Sequence, residues 1–164
     1  GRDVPWMRLA TKSDFYRAHA ARAVADLPDD ARFDVIGTRL NLHRLFGRLT
    51  AADPGTRSKA GKFIDGLKIE IGVDHLGALN GALDISGRSD AVAWQKGPDE
   101  IVLLAGTIPW LAKVTNEREV GARIAMKARW RMVRIHTVGV GAHPFTMMRM
   151  IAEATDGTYL DLSR

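Results

Sequence analysis

The sequence contains no cysteine. That excludes disulfides, a thiolate nucleophile and thiolate metal centres, and it fits reducing and oxidising compartments equally. No apolar run is long enough to cross a bilayer, so membrane insertion is not expected. The opening residues Gly1-Arg2-Asp3-Val4-Pro5-Trp6 lack the apolar stretch of a secretion signal. The usual catalytic signatures are missing too: there is no Gly-x-Ser-x-Gly elbow and no P-loop. His19, His43, His75, His136 and His143 are scattered, and none shows a zinc-binding spacing. Gly139-Val140-Gly141-Ala142 lacks the third glycine of a dinucleotide fingerprint and reads as a tight strand-to-helix turn. Of the acid pairs, Asp29-Asp30 falls in a turn. Asp99-Glu100 opens a strand, where neighbouring side chains point to opposite faces. The expectation is a chain that is not an enzyme and takes no cofactor.

What is present describes one globular unit. The 164 residues suffice for a single domain with a core, and 46% hydrophobic with 26% charged residues is an ordinary globular balance. Lys and Arg number 24 against 19 Asp and Glu, a formal charge of +5. The excess is interspersed, which describes a solvated basic surface. Arg123, Lys127, Arg131 and Arg134 form the one basic cluster. It supports an alternative function, a surface that binds nucleic acid or another polyanion, although no nucleic-acid module accompanies it.

Helix and strand patterns alternate along the chain. Residues 13–27 predict a helix with Phe15, Ala18, Ala21, Val24 and Ala25 inward, stopped by Pro28-Asp29-Asp30. A strand over 32–37 and a partner edge strand within 40–49 follow. Ala52-Asp53-Pro54-Gly55 is a turn or helix entry. Ala60, Phe63, Ile64 and Leu67 mark the buried face of a helix, and Leu76, Leu79 and Leu83 that of another. After a polar loop over 86–98, residues 100–106 are apolar enough to predict a central parallel strand covered on both faces. Asn116-Glu117-Arg118-Glu119 resembles a capping box for a helix carrying Val120 and Ile124. Residues 133–139 form a strand. A helix over 144–155, with Phe145, Met148, Ile151 and Ala152 inward, is closed by Asp156-Gly157 before a last strand over 158–162. Strands separated by single helices imply right-handed crossovers and a three-layer, doubly wound, mostly parallel α/β sheet.

Four segments, in order, resemble the von Willebrand factor A family. His136-Thr137-Val138-Gly139-Val140-Gly141, residues 148–154 and Gly157-Thr158-Tyr159 are similar to that family's ending. Leu27-Pro28-Asp29-Asp30-Ala31-Arg32-Phe33 resembles its passage into the second strand. Residues 72–79 stand where the family has Gly-Thr-Asn, and residues 99–109 where it has a strand ending in Ser-Asp-Gly. The resemblance implies a Rossmann-like sheet of order 3-2-1-4-5-6 that binds at the carboxyl ends of its strands. It covers nearly the whole of residues 1–164, read as one domain and as a fragment of a longer protein. Only Gly1 and Arg2 precede the aligned Asp3, so the family's first strand is absent, supplied by another segment, or remodelled.

The resemblance also places a metal-ion-dependent adhesion site, and here its ligands are replaced. In Asp3-Val4-Pro5-Trp6-Met7, Pro5 and Met7 stand for the two serines of Asp-x-Ser-x-Ser. Val73 stands for the threonine, and Ala105-Gly106-Thr107 for Ser-Asp-Gly, so Gly106 takes the place of an aspartate. Mg2+ needs a shell of oxygens, and Asp3 alone cannot provide one. Trp6 and Trp110 map to this rim, with Pro5, Met7, Ile108 and Pro109 beside them. The expected site is a degenerate, metal-free rim of Asp3, Pro5, Trp6, Met7, Val73, Asp74, Gly106, Thr107 and Trp110. Its expected partner is another protein or another domain of the same polypeptide, because Trp and Met are enriched at interface cores. If the alignment of these residues fails, the remaining alternative is a Mg-dependent adhesion module.

Overall fold

A computed structural model describes residues 12–38, 41–67, 74–85, 97–106 and 116–162. They form α1 (Lys12–Ala25), β1 (Arg32–Phe33), β2 (Ile36–Thr38), β3 (Leu42–Arg44), β4 (Thr50–Ala51), α2 (Pro54–Gly66) and α3 (His75–Leu83). The second half holds β5 (Glu100–Ala105), α4 (Glu117–Trp130), β6 (Arg134–Gly139), α5 (Phe145–Ala154) and β7 (Tyr159–Asp161). Strand and helix alternate from β5 onward as the patterning implies, whereas β1 to β4 follow one another and α3 is the next described element after α2.

The three longest-range strands pair in parallel in the order β5-β6-β7, with Glu100 opposite Arg134 and Thr137 opposite Tyr159. Both crossovers step the same way across the sheet, so right-handed connections put α4 and α5 on one face. Leu79, Leu83, Val120, Ile124, Ile135, Met147, Met148 and Ile151 build the core there. On the opposite face Val102 stays 61% exposed among the described residues. Leu104, on the same face as Val102, is half-buried, so exposure on that face is greatest toward the strand's amino end. Two alternating sets of apolar residues produce the same uninterrupted run whichever set a helix covers.

The predicted strand over 32–37 is two strands. β1 pairs antiparallel with β4, and β2 with β3. Asp34 makes the break: its Oδ1 accepts the N–H groups of Val35 (2.8 Å) and Phe46 (2.9 Å), replacing ladder bonds with a side chain. The pairing resumes as Leu45 N–H donates to the Val35 carbonyl. Leu40, in the predicted edge strand, lies outside the described residues, as do residues 86–96 of the predicted loop.

A second core joins α1 and α2 through Val24, Phe33, Ala52, Ala60 and Ile64. The inward face of α1 runs through Ala20, Ala21 and Val24, so Ala18 and Ala25, expected inside, are exposed. Asp53 enters α2 as its cap, accepting from Thr56 N–H at 2.8 Å, with Pro54 pre-set for the first turn. Arg57 ties the two helices together. Its guanidinium donates to the carbonyls of Ala25 (2.7 Å) and Ala52 (2.9 Å) and pairs with Asp29 (3.0 Å). The last carbonyls of α1, which the helix itself cannot satisfy, thus gain a charged donor.

At the other end of the chain α5 turns into β7 at Asp156-Gly157, as expected, with Gly157 N–H bonding the Ala152 carbonyl at 2.9 Å. Phe145, expected inside, is 47% exposed, and Met147 is buried instead. Phe145 is the first residue of the helix, beyond the sheet edge, where its ring stands edge-on to Tyr159 at 5.6 Å. Gly157 passes so close to β6 that a Cβ would sit 1.9 Å from the Ile135 carbonyl oxygen, a backbone atom that cannot step aside. Gly157→Ala should therefore cost about 1–3 kcal/mol, the usual range for overpacking. Urea unfolding checks this: a lowered midpoint is expected, and a wild-type midpoint would contradict the packing.

Candidate functional site

In a parallel sheet with crossover helices, loops and helix N-termini converge at the carboxyl ends of the strands, and ligands usually bind there. At this edge the structure describes Ala105-Gly106 at the end of β5, Gly139-Val140-Gly141 and His143 at the end of β6, and the N-termini of α3, α4 and α5. Two of the sequence-predicted site residues, Asp74 and Gly106, are among them. Asp3, Pro5, Trp6, Met7, Val73, Thr107 and Trp110 lie outside the described residues.

Gly106 sits under the phenol of Tyr16. A Cβ at position 106 would fall 1.4 Å from the Tyr16 hydroxyl, so the α1 side chain fills the space that any side chain at 106 would need. The hydroxyl donates to the Val140 carbonyl at 3.4 Å, linking α1 to the ends of β5 and β6. Burial penalises the phenolate and pushes the Tyr16 pKa up to about 12. Nothing in the spacing of residues 16 and 106 announces this contact, and sequence reasoning missed it.

Asp74 is exposed at the entrance of α3, and its Oδ1 caps the helix by accepting from Gly77 N–H at 2.8 Å. Asn116 does the same for α4, accepting from Arg118 (3.1 Å) and Glu119 (3.4 Å) N–H groups. Glu119, the predicted return partner of a capping box, pairs with Arg123 instead. Glu117 reaches across to α5. Its Oε2 accepts from the N–H groups of Thr146 (3.0 Å) and Met147 (3.3 Å), capping a helix whose own cap position, Pro144, offers no side-chain bond. The positive end of α5 is thereby occupied by an internal carboxylate, and an anion has to compete with it.

His143 is equally committed. Its Nδ1 lies 2.7 Å from the Gly141 carbonyl, which only accepts, so Nδ1 carries the proton. Nε2 then accepts from the Tyr159 hydroxyl at 2.7 Å. The ring covers Gly139, where a Cβ would lie 2.3 Å from it, so the Gly139-Val140-Gly141 turn is closed by a side chain. The Tyr159 pKa is raised by burial and by the charge of Asp161. His136 also has a structural role: Thr158 N–H donates to its Nδ1 at 3.1 Å.

The basic cluster named from the sequence is paired. Arg123 meets Glu119, Lys127 and Arg131 share Asp84 at 2.9 Å each, and Arg134 meets Glu100 at 2.9 Å. Among the described residues no group of three or more His, Asp or Glu side chains is placed to hold a metal ion. No described helix is long and apolar enough to cross a membrane.

Two effects should be measurable. Gly106→Ala should displace the Tyr16 ring, which unlike a backbone atom can swing aside, and cost about 1 kcal/mol; in a Tyr16→Ala background the added cost should vanish. A double-mutant cycle with no coupling would remove Tyr16 from this position. The second is alkaline instability. The folded pKa of Tyr16 lies above the ordinary value of 10, so the unfolded chain loses this proton first. Stability is then full below pH 10 and falls as pH rises toward about 12. Tyr16→Phe should remove that part of the loss in pH-dependent melts.

The family model for the von Willebrand factor type A domain matches residues 16–161. Among solved structures, a von Willebrand factor type A protein from Catenulispora acidiphila matches with a TM-score of 0.69 and 21% identity. The match covers 92% of this chain and 34% of the other, so the chain spans about a third of that protein's length. At this identity the likeness is one of fold, a Rossmann-like α/β architecture. No curated protein matches the sequence.

Proposed function

Because the chain belongs to the von Willebrand factor type A domain family, we propose that it is a binding module that engages its partner without a metal ion. Domains of this family generally bind other proteins. The partner is another protein or another domain of the same polypeptide, and the contact lies at the carboxyl edge of the sheet. Its rim is formed by Asp3, Pro5, Trp6, Met7, Val73, Asp74, Gly106, Thr107 and Trp110.

The observation that carries this reading is Tyr16 over Gly106. The resemblance puts a ligating aspartate at position 106, and here the position is a glycine whose side-chain space holds a phenol from α1. Neighbouring polar groups support the same conclusion. Asp74 Oδ1 and Glu117 Oε2 cap helices, and the two ring nitrogens of His143 are taken by the Gly141 carbonyl and the Tyr159 hydroxyl. These side chains serve the fold, which fits a binder better than an enzyme. The proposal assigns recognition to Trp6, Met7 and Trp110, residue types enriched in interface cores.

Capture experiments with the immobilised domain test this. The same partner should be retained in EDTA and in Mg2+, and Trp110→Ala should lose it while melting like wild type. Retention that needs Mg2+, or that survives Trp110→Ala unchanged, would refute the proposal.

A further inference from the structure

The end of α4 presents sulfur to solvent. Met126 is 61% exposed and Met132 73%, with Trp130 between them in sequence at 84%. Met126 stands one turn before Trp130, on the side of α4 away from Val120, Ile124 and Ala128, which are buried in the core. Met132 follows the helix. Its N–H bonds the Arg129 carbonyl at 3.0 Å and the next N–H, of Val133, bonds the Ala128 carbonyl at 2.9 Å, so backbone bonds close α4. Residue 132 takes φ 55° in that turn, and its side chain leaves the core for solvent while Val133 enters it. Neither thioether holds the helix in place.

The other described methionines are placed differently. Met147 and Met148 are 1% and 0% exposed, within the core on the helical face of the sheet. The Met150 sulfur packs over Gly121 of α4, 3.1 Å from where a Cβ would stand. The chain has no cysteine, so thioethers are its only sulfur and no thiolate competes for an oxidant. We propose that Met126 and Met132 are sites of reversible sulfoxidation by peroxide-class oxidants, and that the modification turns the surface around Trp130 from apolar to polar while the fold stays intact.

In the forward step a sulfur lone pair attacks one oxygen of the peroxide and the O–O bond breaks. The departing hydroxide takes the proton from the transferred oxygen and leaves as water. The sulfur has given up two electrons and keeps one oxygen, as a polar and chiral sulfoxide. Return requires a thiol-dependent methionine sulfoxide reductase, which removes that oxygen as water while two thiols become a disulfide. Both side chains already face water, so the sulfoxide is hydrated where it forms, whereas one at Met147 or Met148 would bury a polar group in the core.

The test treats the folded chain with hydrogen peroxide and follows each methionine by peptide mass spectrometry. Met126 and Met132 should gain one oxygen roughly tenfold faster than Met147 and Met148. Retention on a phenyl matrix should fall with that oxidation and return after treatment with reductases for both sulfoxide epimers. In the double variant Met126→Leu/Met132→Leu, retention should stay unchanged in peroxide. The urea midpoint of the oxidised wild type should match that of the untreated protein. The proposal fails if Met147 and Met148 are oxidised as fast, if oxidation leaves phenyl retention unchanged, or if the double variant loses retention to the same extent. A lowered urea midpoint would overturn the claim that the fold is spared.

Discussion

A parallel sheet gathers unsatisfied backbone groups at one edge, and the rest of this structure depends on how they are met. Strand ends present carbonyls there, and each crossover helix presents its first N–H groups. Among the described residues, several of them are met from within. Tyr16 bonds the Val140 carbonyl, Asp74 and Asn116 cap their own helices, Glu117 caps α5 from α4, and His143 bonds Gly141 and Tyr159. Among the described residues of this edge, these side-chain atoms are turned toward the protein's own backbone and side chains.

That arrangement links folding to function. Glu117 fixes α4 against α5, whose shared core of Val120, Ile124, Met147, Met148 and Ile151 covers one face of the sheet. Tyr16 fixes α1 to the ends of β5 and β6, and Arg57 joins α1 to α2. Helices so anchored are held to one another and to the sheet at its carboxyl edge, and a surface ordered before binding loses little entropy when a partner docks. Polar groups already engaged need not be stripped of water when a partner arrives.

Much of the architecture is legible in the sequence. Helix faces at 60–64 and 79–83 follow from periodicity, because it records which side meets the core, and the strands read over 100–106 and 133–139 follow from short apolar runs between turns. Gly157 is legible as a helix stop. Side chains that act on distant backbone are not. Asp34 splits a strand by bonding Phe46, and Glu117 caps a helix about thirty positions away. Tyr16 covers Gly106 across most of the chain. These contacts carry no periodicity and require the tertiary fold before they exist. The replacement of the aspartate by Gly106 is visible in the sequence through resemblance to the family, but what fills the space above it is visible only in three dimensions.

The most direct test of a metal-free carboxyl edge is isothermal titration of the EDTA-stripped protein with Mg2+ and Mn2+, paired with melting curves in each ion. The account predicts no saturable heat and no thermal stabilisation. One-site binding with a raised melting temperature would contradict it and would make this edge a metal-dependent adhesion site.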